Sequence, residues 1–260
     1  MLKVNGLEIT ARSAKERLVK SISFEVGKGE TLGLIGESGS GKSITAKAVM
    51  GLLNRRMFDI GGNILWKNEE ILSKKGNMPR GWRGEQTAMI MQDPMTAFAP
   101  MMRLGKQIEM GFELKGRNAK QLFYEQLDSA LKSVNLADMK KILKSYPDEL
   151  SGGMLQRVMI SVTLMKKPEL LIADECTTAV DAASEYMILK QLEQQRKNGM
   201  SMIIITHDFG VAARLCDKVA VMKSGNIIEK GKTLDVFTSP QTEYTHELAA
   251  ASVLFREDVC

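Results

Sequence analysis

Nowhere in this chain of 260 residues does an apolar run approach the roughly 20 residues that a membrane-spanning helix requires. The longest runs, such as Leu170–Ala173 and Met202–Ile205, are a fraction of that length, so the chain is not expected to cross a bilayer itself. The start also lacks the charged, then apolar, then small-residue layout of a signal peptide. Instead Leu2, Val4, Leu7 and Ile9 alternate as in a strand, and an intracellular location is expected. Cysteine is scarce: Cys176, Cys216 and Cys260 are odd in number, far apart and without metal-ligand spacing, which favours reduced thiols over disulfides or a zinc site. Histidine is scarcer still, with only His207 and His246, so no metal cluster is expected. Repeats and low-complexity stretches are absent, and 44% hydrophobic composition suits one core with an embedded subdomain. The net charge of +5 comes from Lys and Arg interleaved with Asp and Glu, which reads as a solvated surface and not as a nucleic-acid stripe.

What is present is a series of short apolar runs, each ending in a polar or glycine-rich turn and followed by a helical pattern. They are Thr31–Ile35, Thr87–Met91, Leu170–Ala173 and Met202–Ile205, and this layout predicts a parallel sheet covered by helices. Their exits hold Gly36, Gln92, Asp174 with Glu175, and His207. Strand exits of a parallel sheet share one edge, so these residues should meet in one crevice. From about Asp93 to Leu150 the period becomes helical, through Ile108, Phe112, Leu122, Leu127, Leu131 and Val134, which predicts an inserted helical subdomain. The expected division is an α/β core over 1–92 and 151–235, the helical subdomain over 93–150 and a tail over 236–260. A helix is predicted over Asp181–Asn198, stopped by Gly199, and a hairpin over Val219–Glu229 around Ser224-Gly225-Asn226.

Gly36-Glu37-Ser38-Gly39-Ser40-Gly41-Lys42-Ser43 fits the phosphate-binding pattern GxxxxGK[ST], after an apolar strand and before a helix that continues with Ile44. Glycines let the backbone turn its N–H groups inward and approach phosphates closely. Lys42 is expected to reach the β and γ phosphates of ATP and Ser43 to bind Mg²⁺, with the helix N-terminus facing the anion. A chance match in a chain of this length is on the order of one in a hundred before context is required, so a mere flexible turn is the poorer reading.

The run Leu170–Ala173 empties into Asp174 and Glu175, adjacent residues that point in different directions. Alone, such a strand end is as readily a pair of solvated carboxylates. Beside a phosphate loop, Asp174 is expected to hold Mg²⁺ and Glu175 to orient or deprotonate the water that attacks the γ phosphate. A lone histidine is more often structural, but the position of His207 at another strand exit favours a γ-phosphate contact, and Gln92 offers an amide oxygen to Mg²⁺ or to the water. Downstream, Ser151, Gly152 and Gly153 ahead of a helix make a second anion site, which one nucleotide on the first loop does not need.

Leu150-Ser151-Gly152-Gly153-Met154-Leu155-Gln156-Arg157 resembles the signature of the ABC ATPases, LSGG followed by a helix. The resemblance spans nearly the whole chain and keeps the family's motif order: phosphate loop, Gln92, signature, Asp174-Glu175, Asp181, His207. It implies an α/β P-loop NTPase core with a mostly parallel sheet, N-terminal antiparallel strands and an inserted helical subdomain. It further implies a head-to-tail dimer with a second ABC ATPase subunit, the same or related, in which Ser151 and Gly153 of one subunit close over ATP on the loop of the other and Asp181 lies at the contact. Two membrane permease subunits, an extracellular substrate-binding protein and a peripheral position on the cytoplasmic face of the cell membrane follow from the same resemblance, with Pro94–Arg103 as the docking segment.

Within the family, the phosphate loop, Met91-Gln92-Asp93-Pro94 and the Met154 variant are similar to the dipeptide, oligopeptide and nickel importer group, and the Met154–Arg157 ending most to its nickel-import members of the D type. Tyr244-Thr245 after Pro240 is similar to that group's tail, and the lack of the cysteine-containing extension of many peptide importers leans the expectation to nickel or a metal chelate, with peptide import as the alternative. Three departures stand out: no aromatic precedes Phe24 to stack on adenine, Cys176 stands where the family has proline, and Val180 replaces leucine. A soluble ABC ATPase acting on nucleic acid or ribosomes would need duplicated cassettes or a concentrated basic segment, and neither is seen.

Overall fold

The computed structural model describes residues 1–72, 78–178 and 180–254; Cys260 and Ala179 lie outside them. The chain runs β1 (Leu2–Ala11), β2 (Glu16–Val26), β3 (Thr31–Ile35), α1 (Lys42–Val49), β4 (Phe58–Trp66), β5 (Glu69–Glu70) and β6 (Thr87–Ile90). There follow α2 (Leu104–Met110), α3 (Arg117–Lys132), α4 (Met139–Lys144), α5 (Gly152–Met165), β7 (Leu170–Asp174), α6 (Ala182–Lys197), β8 (Ser201–Thr206) and α7 (Phe209–Leu215). The hairpin β9 (Lys218–Lys223) and β10 (Asn226–Lys232) and two helices, α8 (Thr233–Thr238) and α9 (Glu243–Leu254), close the described chain.

Two sheets result. A four-stranded antiparallel sheet has the order β2-β1-β4-β5, and a six-stranded sheet has the order β10-β9-β3-β8-β7-β6. In the larger sheet every neighbour pair is parallel except β10 with β9. The central strands β3, β7 and β8 are buried at every residue, which is why their sequences are unbroken apolar runs and not alternations. β1 keeps a two-residue period with one interruption: buried Val4 is followed three residues later by buried Leu7, and a bulge at Gly6 (φ +56°) absorbs the extra residue. At the tip of the β9–β10 hairpin both central residues, Ser224 (φ +48°) and Gly225 (φ +80°), take positive φ, the requirement of the two-residue turn that matches strand twist.

Three apolar clusters hold these layers together. One lies between the two sheets and around α1, with Leu34, Val49, Ile64 and Ile203. A second covers the opposite face of the larger sheet with α6 and α7, through Ile188, Leu192, Ala212 and Leu215. The third, with Leu104, Leu127, Leu131 and Ile142, belongs to the helices α2 to α4 predicted as an insertion. Helix α5 serves two of them: Leu155 and Val158 enter the helical cluster, whereas Met159, Ile160 and Leu164 enter the cluster under the sheet. Asp181 caps α6, accepting from the Ser184 N–H at 2.9 Å, and Gly199 (φ +85°) ends it, as its sequence predicts.

Candidate active site

The exits of β3, β6, β7 and β8 meet at one edge of the larger sheet, as parallel strands require. The turn after β3 is the glycine loop. A Cβ on Gly36 (φ +148°) would sit 2.1 Å from the Met222 carbonyl oxygen, and one on Gly41 (φ +106°) 3.0 Å from that of Leu18, so side chains are sterically excluded at both ends. The hairpin tip grips the same loop, the Gly225 N–H donating to the Ser40 carbonyl at 3.0 Å.

Lys42 opens α1 and is only 3% exposed. Its ammonium donates to the carbonyls of Gly36 and Glu37, each at 2.7 Å, and lies 3.4 Å from the Ser40 hydroxyl. Burial lowers its pKa from the ordinary lysine value, opposed by the negative charges of Glu175, Asp174 and Glu37. The Ser43 hydroxyl donates to Asp174 Oδ1 at 2.8 Å. Asp174, 3% exposed, is pushed up by burial; the Ser43 hydrogen bond opposes that, Glu175 adds to it, and Lys47 and Lys42 pull it down. This pair of hard oxygens beside the loop fits Mg²⁺, an ion that keeps several waters and takes phosphate oxygens without an all-protein cage. Accordingly, among the described residues no cluster of three or more His, Cys, Asp or Glu groups is present to hold a metal on protein ligands alone.

Glu175 leaves β7 with positive φ (+45°), unusual outside glycine, while its N–H donates to the Ile205 carbonyl at 2.9 Å. Its carboxylate engages Gln92 and His207, whereas that of Asp174 engages Ser43. Glu175 Oε2 accepts from the Gln92 amide nitrogen at 2.7 Å, and Oε1 lies 3.6 Å from His207 Nδ1. A cleft of about 240 Å³ is lined by Ser38, Gly39, Gly41, Lys42, Ser43, Gln92 and Glu175, with Leu18 and Ile44 as its apolar lining. Gln92 thus meets the site through its amide nitrogen, so its carbonyl oxygen is left free for a cation.

Ser151, Gly152, Gly153 and Asp181 are not brought to that cleft. Ser151 caps α5, accepting from the Met154 N–H at 3.3 Å, and both Ser151 and Gly152 are exposed. Asp181 is exposed and spent on Ser184, whose N–H and hydroxyl hold its carboxyl below the usual carboxylate range. Two contacts were not read from sequence. Buried Gln156 on α5 donates to the Cys176 carbonyl at 3.0 Å, tying the signature helix to the residue after Glu175; its sequence signal is a lone amide among Leu155, Val158 and Met159. The Tyr244 hydroxyl accepts from the Glu37 N–H at 3.1 Å, a contact across 207 positions that no local pattern encodes.

The family model described as ABC transporter matches residues 19–178. The oligopeptide transport ATP-binding protein OppD of Salmonella typhimurium is 43% identical over 94% of this chain and 74% of its own length. The metal-staphylopine import system ATP-binding protein CntD of Staphylococcus aureus is 41% identical over 95% of this chain and 92% of its own. Among solved structures, an ATP-binding subunit of an ABC transporter superposes with a TM-score of 0.76 at 25% identity, covering 97% of this chain and 99% of that one. A dimeric cassette in a post-hydrolysis state bound to ADP and Pi shares the fold, with a TM-score of 0.74 at 20% identity over 90% of this chain and 99% of that one.

Cys176, beside Glu175, is 4% exposed, and burial pushes its thiol up to about 12; Cys216, 5% exposed, is pushed up likewise to about 12. Since the thiolate is the reactive form, burial of both thiols and the upward shift of their pKa make them poor nucleophiles in the folded protein. In native protein at pH 8, peptide mapping after maleimide treatment should find Cys176 and Cys216 unmodified, and modified after denaturation; rapid native labelling of Cys176 would contradict this.

Proposed function

Given that the chain belongs to the ABC transporter family and is one of its ATPases, we propose that it powers import of an oligopeptide or a metal-chelate complex through separate membrane subunits. The observation that carries the reading is the junction of the glycine loop with Asp174, Glu175, Gln92 and His207 at one sheet edge. ATP lies along the loop with its phosphates over the N-terminus of α1, and Lys42 exchanges its bonds to the Gly36 and Glu37 carbonyls for phosphate oxygens. Ser43, Asp174 and the Gln92 amide oxygen would hold Mg²⁺, which when bound neutralises charge on the β and γ phosphates. Glu175, held by Gln92, orients the attacking water and takes its proton, and His207, 3.6 Å from the same carboxylate, is assigned the contact to the γ phosphate.

The exposed Ser151 and Gly152, with Gly153, at the head of α5 form an anion site apart from the cleft at this chain's own glycine loop. A second cassette, another copy or a related chain, gives them an ATP to close over and completes both sites; the dimeric cassette of like fold supports this arrangement. Closing and opening of that dimer would move the helical subdomain against membrane subunits. No helix among the described residues is long and apolar enough to cross a membrane. The chain's place as a peripheral subunit on the cytoplasmic face rests instead on its likeness to the importer ATPases. Docking is assigned to Pro94–Arg103, where Met95 is 41% and Met101 91% exposed. Of the expectation drawn from the Met154–Arg157 ending and the tail, nickel or a metal chelate, the nickel-specific part is not favoured over peptide import: the relatives are named for oligopeptide and for metal-staphylopine import.

Three measurements test this reading. In the assembled complex, Glu175→Gln should retain ATP binding while turnover falls about 10²-fold or more, whereas Lys42→Ala should lose nucleotide binding; unchanged turnover in the first or normal affinity in the second removes that residue from its role. A cysteine introduced by Met101→Cys should crosslink to cytoplasmic loops of the membrane subunits, and consistent failure overturns the docking assignment. In cells, Glu175→Gln should abolish uptake of oligopeptides or of a nickel–chelator complex; an effect confined to uptake of free Ni²⁺ overturns the cargo class.

A further inference from the structure

The glycine loop is held from outside at three places, by the Met222 carbonyl packed on Gly36, by the Gly225 N–H on the Ser40 carbonyl, and by Tyr244 on the Glu37 N–H. The first two come from the β9–β10 hairpin. The third comes from α9, a helix that no step of the proposed hydrolysis uses. Glu37 is the corner of the loop: its carbonyl accepts from the Lys42 ammonium at 2.7 Å and from the Ser40 N–H at 3.2 Å, while its N–H goes to the Tyr244 hydroxyl. With that hydroxyl removed, the amide must find water or swing, and the Gly36 carbonyl, which shares its peptide plane and also accepts from Lys42 at 2.7 Å, swings with it.

Tyr244 is itself firmly set. It is 7% exposed, with the Lys223 ammonium 4.3 Å from its ring centroid. Burial keeps its phenol protonated. The start of α9 is tied to β10 through Glu229, whose carboxylate accepts from the Gln241 N–H at 2.8 Å and from the Thr242 N–H and hydroxyl, each at 3.2 Å. Thr242 and Thr245 share a further hydrogen bond at 2.8 Å, and Leu248 packs on the cluster beneath the sheet. The hydroxyl is therefore delivered to Glu37 by a helix with its own anchors and not by a free tail.

We infer that Tyr244 is a positioning residue for ATP: its hydroxyl fixes the Glu37 corner of the phosphate loop, so that docking of α9 and binding of nucleotide favour one another. The inference rests on the reading of that loop as the ATP site. Coupling of this kind is reciprocal, so a tail that tightens ATP binding must itself be tightened by ATP. A ring that merely packs would show neither effect, and Tyr244→Phe separates the two roles because it keeps the ring, the burial and the Lys223 contact while deleting only the acceptor.

The test uses the full chain, with MgATP titrated onto wild type, Tyr244→Phe, Tyr244→Ala and Lys42→Ala, together with hydrogen exchange over residues 243–250. Tyr244→Phe should weaken MgATP binding about 2- to 10-fold, the span of one hydrogen bond, while lowering the thermal midpoint by no more than about a few degrees. Tyr244→Ala should weaken it at least as much and speed exchange in α9. Saturating MgATP should slow α9 exchange in wild type and less so in Tyr244→Phe. Wild-type affinity in Tyr244→Phe, with α9 exchange indifferent to MgATP, overturns the inference while leaving the ATP site intact. A wild-type chain that binds MgATP no better than Lys42→Ala overturns the site and the inference together.

Discussion

The Lys42 ammonium, shut away from solvent, has two loop carbonyls and a serine hydroxyl as its hydrogen-bonding partners, with Asp174 and Glu175 supplying countercharge from a strand two places away in the sheet. A buried charge is tolerated only where it is paired and hydrogen-bonded. The loop must therefore wrap the ammonium, which forces the positive φ of Gly36, Gly39 and Gly41. The acidic strand end must lie alongside, which fixes the order of β3, β8 and β7 in the sheet. Under the proposed function, phosphate and cation recognition are two uses of this one arrangement, because the groups that balance the lysine are also those that would face a polyphosphate and its metal.

Around that centre the chain divides its labour by rigidity. The central strands are buried along their whole length and hold their exits still. Helix α5, by contrast, is shared between the helical cluster and the cluster under the sheet, and Gln156 ties it to the backbone just beyond Glu175. Its exposed N-terminus is therefore mechanically continuous with the strand end that bears the proposed base. The tail reaches the glycine loop itself, through Tyr244 at Glu37.

Much of this was legible beforehand. Thr31–Ile35, Leu170–Ala173 and Met202–Ile205 are strands because strands buried on both faces must be apolar throughout, and their exits meet because parallel strands leave no other choice. The hairpin turn at Ser224-Gly225 and the cap at Asp181 follow from local backbone chemistry. The bulge at Gly6 was less legible, since an alternation interrupted by one residue looks the same whether a bulge or a loop absorbs it. Nor does the boundary near Leu150 capture α5, whose two apolar faces are contiguous in sequence and separate only in space.

Local pattern alone determined the parallel core, the phosphate loop, the two adjacent carboxylates and the serine-glycine helix start, because each depends on backbone geometry or periodicity within a few residues. Tertiary structure alone decided that Gln92 presents its amide nitrogen to Glu175, that Gln156 reaches Cys176, that the Cys176 side chain is buried, and that Tyr244 touches Glu37. Those contacts join residues far apart along the chain, and which atoms meet depends on how whole layers pack.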